Sequence, residues 1–153
     1  MISLRNVSKY YYSNEKITLG LSKVDLDLSI GEFVVITGES GSGKSTLLNV
    51  LSGLDTFEQG KMYINNQDIT HFTSENLEEY RRKYIGFVFQ SYNIIESYSV
   101  FDNIEMALIV QGFDKDKRKD KVIELIEKVG LTSKIEEKAS KLSGGEKQRI
   151  VIA

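Results

Sequence analysis

The sequence predicts an α/β fold in which strands come first, one strand–loop–helix unit follows, and the second half is helical. Three observations carry this expectation. Val24, Leu26, Leu28 and Ile30 alternate with Asp25, Asp27 and Ser29, the period of a strand with one buried and one wet face. Phe33-Val34-Val35-Ile36 is apolar on both faces, as a central parallel strand is, and it leads into a glycine-rich loop and a helical stretch. Val122, Leu125, Ile126 and Val129 recur at helical spacing.

Taken in order, Gly31-Glu32 makes a turn between the first two strands. The loop spans residues 38–43 and the helix 44–52, with Gly53 where a C-terminal glycine cap belongs. Residues 61–64 and 67–69, joined by Asn65-Asn66, form a hairpin. Ile85-Gly86-Phe87-Val88-Phe89 is a second buried strand. Asp102 with Glu105 resembles a capping box, and Gly112 closes the helix it opens. Residues 115–120 are a charge run, a solvated loop or helix start. The stripe from Val122 to Val129 is core or interface, and Gly130 ends its helix. No internal repeat, low-complexity tract or linker interrupts the 153 residues, a length that suits one domain with a real core.

Composition narrows the function. Apolar residues make up 41% and charged residues 27%, as in ordinary globular proteins. A net charge of −2 argues against nucleic-acid binding, which favours a strongly basic face. Without cysteine there is neither a disulfide framework nor a zinc ribbon. Apolar runs such as 106–110 are too short to span a bilayer, and the first residues lack the layout of a signal peptide. A cytoplasmic location is expected.

Gly38-Glu39-Ser40-Gly41-Ser42-Gly43-Lys44-Ser45 fits G-x-x-x-x-G-K-[ST]. Small residues let the backbone curl until its N–H groups point at phosphate oxygens. The following helix adds the positive end of its dipole. Lys44 supplies a mobile positive charge for β and γ phosphates. The Ser45 hydroxyl is a hard oxygen ligand for Mg²⁺, and Thr46 stands beside it to bond phosphate. The alternative, a plain glycine-rich turn, does not explain the buried strand before the loop and the capped helix after it. No N-K-x-D segment supports guanine recognition.

Leu142-Ser143-Gly144-Gly145-Glu146-Lys147-Gln148-Arg149 resembles the signature of ABC-transporter ATPases, usually L-S-G-G-Q and often L-S-G-G-E, and precedes a helix from Glu146 to Ala153. Ser143, Gly144 and Gly145 can form a second phosphate nest. The segments Gly53-Leu54-Asp55 and Arg81-Arg82-Lys83-Tyr84-Ile85-Gly86-Phe87-Val88-Phe89-Gln90 look most like the branch for lipoprotein release and macrolide or antimicrobial-peptide export. One departure is Glu39, where many relatives carry proline.

The resemblance covers essentially the whole chain. It implies a P-loop NTPase fold of the ABC type, with an N-terminal antiparallel β subdomain, a nucleotide-binding core over about 1–90 and a helical subdomain over about 91–145. It implies an ATPase using ATP and Mg²⁺. Lys44 and Gln90 would serve catalysis, with Ser45 and Gln90 toward the metal. An aromatic residue would stack on adenine: Tyr11 by its spacing after Asn6-Val7-Ser8-Lys9, with Tyr10 and Tyr12 as alternatives. It implies a head-to-tail dimer in which Leu142, Ser143, Gly144, Gly145 and Glu146 of one copy close over ATP held by the other. The remaining partner would be a membrane permease, met by the segment 91–100 with Tyr92, Ile94, Ile95 and Tyr98, which places the protein on the inner face of the membrane. The family continues past the signature into an apolar strand ending in Asp-Glu and on to a switch histidine. No such pair occurs in these 153 residues, and His71 precedes Gln90. The expectation is therefore an incomplete sheet and ATP binding without turnover. A small-molecule kinase would leave the signature unexplained.

Overall fold

The computed structural model describes residues 1–14 and 16–153. They divide into two compact units, Met1–Gly86 and Phe87–Ala153.

The first unit is built on a four-stranded antiparallel sheet of β1 (Ile2–Ser13), β2 (Lys16–Leu28), β3 (Gln59–Ile64) and β4 (Gln67–Asp68), in the order β2-β1-β3-β4. Helix α1 (Lys44–Leu51) packs on it: Leu4, Val7, Leu21 and Met62 of the sheet form one core with Val50, Leu51 and Ile69. The Asn65-Asn66 turn has positive φ at both residues (48° and 66°), the primed geometry that suits a two-residue hairpin.

Helix α2 (Ser74–Tyr84) has no counterpart in the sequence expectation. A reciprocal box between Thr73 and Asn76 opens it. Tyr80 is buried and its hydroxyl donates to the Leu51 carbonyl at 2.8 Å, while Arg81 donates to the Gly53 carbonyl at 2.6 Å. Both bonds satisfy carbonyls that the end of α1 leaves open.

The second unit holds α3 (Val100–Val110), α4 (Lys115–Lys128), two short 3₁₀ turns and α5 (Gly144–Ile152). Val122 and Ile126 are fully buried with Val100, Ile104, Leu131 and Ile150, so the apolar stripe is core. The cap of α3 differs from expectation. Ser99, not Asp102, is the N-cap, and Asp102 is the reciprocating N3 residue. The charge run is the first turns of α4, with Asp114 as its cap.

Residues 33–36, expected as a central parallel strand, and 85–89, expected as a second buried strand, join no ladder among the described residues. Phe33 is 91% exposed and Val35 68%. A strand is defined by hydrogen-bonded neighbours, and every described ladder is antiparallel and lies elsewhere. Ile30 lies in the turn after β2 rather than in its buried row and is exposed.

Candidate functional site: a phosphate loop and a signature helix

The loop expected to bind phosphate enters α1 through Gly43, whose φ of 91° is left-handed. A Cβ there would stand 2.4 Å from the Gly20 carbonyl oxygen of β2, so only glycine lets the loop lie on that strand. No side chain caps the helix start. The first-turn N–H groups of an α-helix have no intrahelical partner, which makes this end a site for an anion. Lys44 folds back along its own loop, its Nζ donating to the carbonyls of Gly38 (2.9 Å) and Glu39 (2.6 Å). Ser45 and Thr46 follow in the first turn.

Beside the loop lies a cavity of about 420 Å³, and Tyr11 shares its wall with Ser40, Gly41, Lys44, Ser45 and Thr46. Tyr10 and Tyr12 are not among its lining residues. Tyr11 is fixed at its hydroxyl, which lies 3.0 Å from Asp55 Oδ2 and 3.4 Å from Thr46 Oγ1. Asp55 also pairs with Lys9 at 2.9 Å, and Lys9 with Glu58 at 3.2 Å. The Lys9 ammonium lies 5.2 Å from the centroid of the Tyr11 ring, a cation–π distance. Burial works against the charges of Lys9 and Asp55. The mutual bonds outweigh it, so Lys9 is held above the ordinary lysine range and Asp55 below the ordinary carboxylate range.

Gln90 and the signature belong to the second unit. Gln90 is exposed in a turn closed by the Tyr92 N–H on the Phe89 carbonyl at 3.1 Å. Tyr92 has a φ of 63°, costly for an aromatic residue. Its hydroxyl lies 3.0 Å from where a Gly144 Cβ would stand, so it packs against the signature backbone. The segment after Gln90 is tied to the signature helix by Lys147 on Glu96 at 2.6 Å. Ser143 caps α5: its N–H and hydroxyl both donate to Glu146 Oε2 at 2.9 Å. Glu146 Oε1 pairs with Lys134 at 2.7 Å. Lys134 first, then the N–H and hydroxyl of Ser143, hold the Glu146 carboxyl down to about 2.

A profile described as ABC transporter matches residues 21–153. The chain belongs to the ABC transporter family. It is 42% identical over all 153 residues to the methionine import ATP-binding protein MetN of Clostridium acetobutylicum, covering 46% of that protein. It is 39% identical to the lipoprotein-releasing system ATP-binding protein LolD of Pseudoalteromonas translucida, covering 66% of it. It is also 39% identical to the macrolide export ATP-binding/permease protein MacB of Hyphomonas neptunium, covering 24% of it. The chain thus spans only part of the curated relatives it matches. Among solved structures it resembles the dimeric bacterial ABC transporter cassette MJ0796, with a TM-score of 0.87 and 38% identity over 99% of this chain and 67% of that one. Another structure of MJ0796, a post-hydrolysis dimer bound to ADP and Pi, gives the same TM-score at 37% identity. No helix among the described residues is long and apolar enough to cross a membrane.

Several residues around the ABC phosphate loop escaped the sequence reading. Lys9, Asp55 and Glu58 left no contiguous signal, because residues about the loop's flanks meet only in the fold. Gly20 did leave one: a glycine inside a strand marks a close backbone approach. A Cβ there would stand 2.7 Å from Tyr11 Cε2. The donor set suits a magnesium-bound polyphosphate: a glycine-lined backbone cradle, one lysine, and the hydroxyls of Ser45 and Thr46 at a helix start.

Proposed function

We propose that this chain is the ATP-binding part of an ABC transporter and couples ATP binding and hydrolysis to export through a separate membrane permease, from the cytoplasmic face. The cavity that Tyr11 shares with Ser40, Gly41, Gly43, Lys44, Ser45 and Thr46 carries this reading, because it sets an aromatic wall beside a phosphate cradle. Tyr11 is the platform for adenine. Gly38, Glu39, Ser40, Gly41, Ser42 and Gly43 surround the phosphates with backbone N–H groups, Lys44 neutralises their β and γ charge, and Thr46 bonds an oxygen. Ser45 would hold Mg²⁺ through its hydroxyl, and the metal would draw charge from the phosphates when bound. The 91–100 segment meets the permease, with Ile95 and Tyr98 providing its exposed apolar surface.

In the family pattern a carboxylate beyond the signature activates water. A polypeptide without that carboxylate would bind ATP and turn it over slowly. General-base activation is worth about 10²–10⁴-fold, which would make the deficit plain. Export is supported by the likeness to the lipoprotein-release and macrolide-export proteins. Import is the second reading, favoured by the 42% identity to the methionine importer. Transport by the reconstituted full-length complex in oriented vesicles separates the two.

Titration calorimetry tests the site. Lys44→Ala should weaken ATP binding about ten- to a hundredfold, the worth of a charge-assisted contact. Tyr11→Ala should weaken ATP while sparing inorganic tripolyphosphate. Equal ATP affinity in wild type and Lys44→Ala would overturn the assignment.

A further inference from the structure

We propose that Lys134 is a positioning residue that cancels the charge of Glu146, so that the signature helix can approach the polyphosphate of ATP held by a second copy. The proposal rests on the reading that Ser143, Gly144 and Gly145 act across a dimer.

The signature presents a contradiction in charge. The start of α5 offers the positive end of a helix dipole and two glycines, a surface suited to an anion. Yet its third residue, Glu146, is a carboxylate, and its Oε2 takes both the N–H and the hydroxyl of Ser143 at 2.9 Å. A net negative side chain bonded to the very serine that should meet a phosphate would repel the incoming nucleotide. Glutamine would cap the helix as well without the charge.

The structure supplies a countercharge from outside the motif. Lys134, in the short turn Thr132–Lys134, reaches Glu146 Oε1 at 2.7 Å. The two carboxylate oxygens are therefore divided, one toward Ser143 and one toward Lys134. Both side chains are partly shielded, 34% exposed for Lys134 and 18% for Glu146, which limits screening of the pair. Nearby charges act on Lys134 in opposite directions: Glu137 favours its charged form and Arg149 opposes it. The strong depression of the Glu146 pKa agrees with a carboxylate kept ionised and matched. As a pure helix cap, Glu146 would not need a lysine twelve positions upstream in the chain.

The test uses the full-length ATP-binding protein with a non-hydrolysable ATP analogue, read by sedimentation for dimerisation and by calorimetry for monomer binding. Lys134→Met should weaken analogue-driven dimerisation by about tenfold or more, the scale of one unmatched charge, and leave monomer affinity unchanged. Raising the salt should lessen the defect. Adding Glu146→Gln to Lys134→Met should restore dimerisation although the ion pair is still gone, and Lys134→Arg should behave as wild type. A purely structural pair gives another pattern: the double variant stays as weak as Lys134→Met and both lose thermal stability, which would overturn the proposal. Unchanged dimerisation in Lys134→Met would also overturn it, while leaving the trans reading intact. The trans reading itself is checked by Ser143→Arg, which should block dimerisation and spare monomer binding. Normal dimerisation there would remove both.

Discussion

Glu146 also makes a stability claim at the scale of one residue. Its carboxyl is lowered from an ordinary 4.5 to about 2, chiefly by Lys134 and then by Ser143. A folded-state pKa below the unfolded one means that the group stabilises the fold fully above about 4.5. That contribution fades as pH falls toward and through about 2. Asp27, Asp55, Asp68 and Glu124 are lowered too, so acid acts on several sites at once. The difference between wild type and Glu146→Gln isolates one of them. Thermal midpoints of the two proteins, followed by circular dichroism, should converge as pH drops from about 5 to about 2. A gap that stays constant across this window would mean that the Lys134–Glu146–Ser143 arrangement does not form in solution.

Among the elements, α1 ties the phosphate loop at its start to α2 at its end. Gly53 makes this junction. Its φ is 68°, and a Cβ there would meet Tyr80 Cδ1 at 3.1 Å and Leu77 Cδ2 at 3.3 Å. Gly53→Ala adds left-handed strain, about 1–2 kcal/mol, and presses on the aromatic ring that bonds the Leu51 carbonyl. Urea unfolding should show a loss of about that size or more, with ATP affinity falling only as far as α1 is displaced; no loss would mean that the helix ends otherwise. This glycine could be read from the sequence because it follows an apolar helical pattern directly. Other elements could not. The alternation of β1 is broken by register shifts between Leu4 and Val7, Val7 and Lys9, and Lys9 and Tyr10, which blur a period of two. Helix α2 is mostly Glu, Asn, Arg and Lys, and only Tyr80 is buried, so it has almost no stripe to detect. Ser99 and Asp102 form a box three residues ahead of the pair that the sequence suggested, because Asp102 serves as N3 where it could equally have been an N-cap. The phosphate loop and the signature were legible because each is contiguous. The Lys9–Asp55–Glu58 and Lys134–Glu146 pairings were not, since they depend on which loops the fold brings together.

On the scale of the whole molecule, sequence and structure differ most at 33–36 and 85–89. Both segments read as buried strands, and Phe33, Val34, Val35 and Val88 are instead exposed apolar surface. Burying such side chains is worth about 1.5–3 kcal/mol each, so leaving them in water is a substantial cost. Their backbone groups also want ladder partners. Parallel ladder pairing would supply both. Amide hydrogen exchange tests this pairing without any activity measurement. In the full-length protein, the amides of Val34, Val35 and Ile36 should be among the slowly exchanging ones. In the 153-residue polypeptide they should exchange rapidly, while Leu4, Met62 and Ile126 remain protected in both by cores that are already closed. Exposed strand edges of this kind promote self-association, so the shorter polypeptide should also form larger species with rising concentration, and Phe33→Ser with Val35→Thr should reduce them. Rapid exchange of residues 34–36 in the full-length protein as well would show that this segment is not a strand, and the buried-strand reading of its apolar run would be wrong.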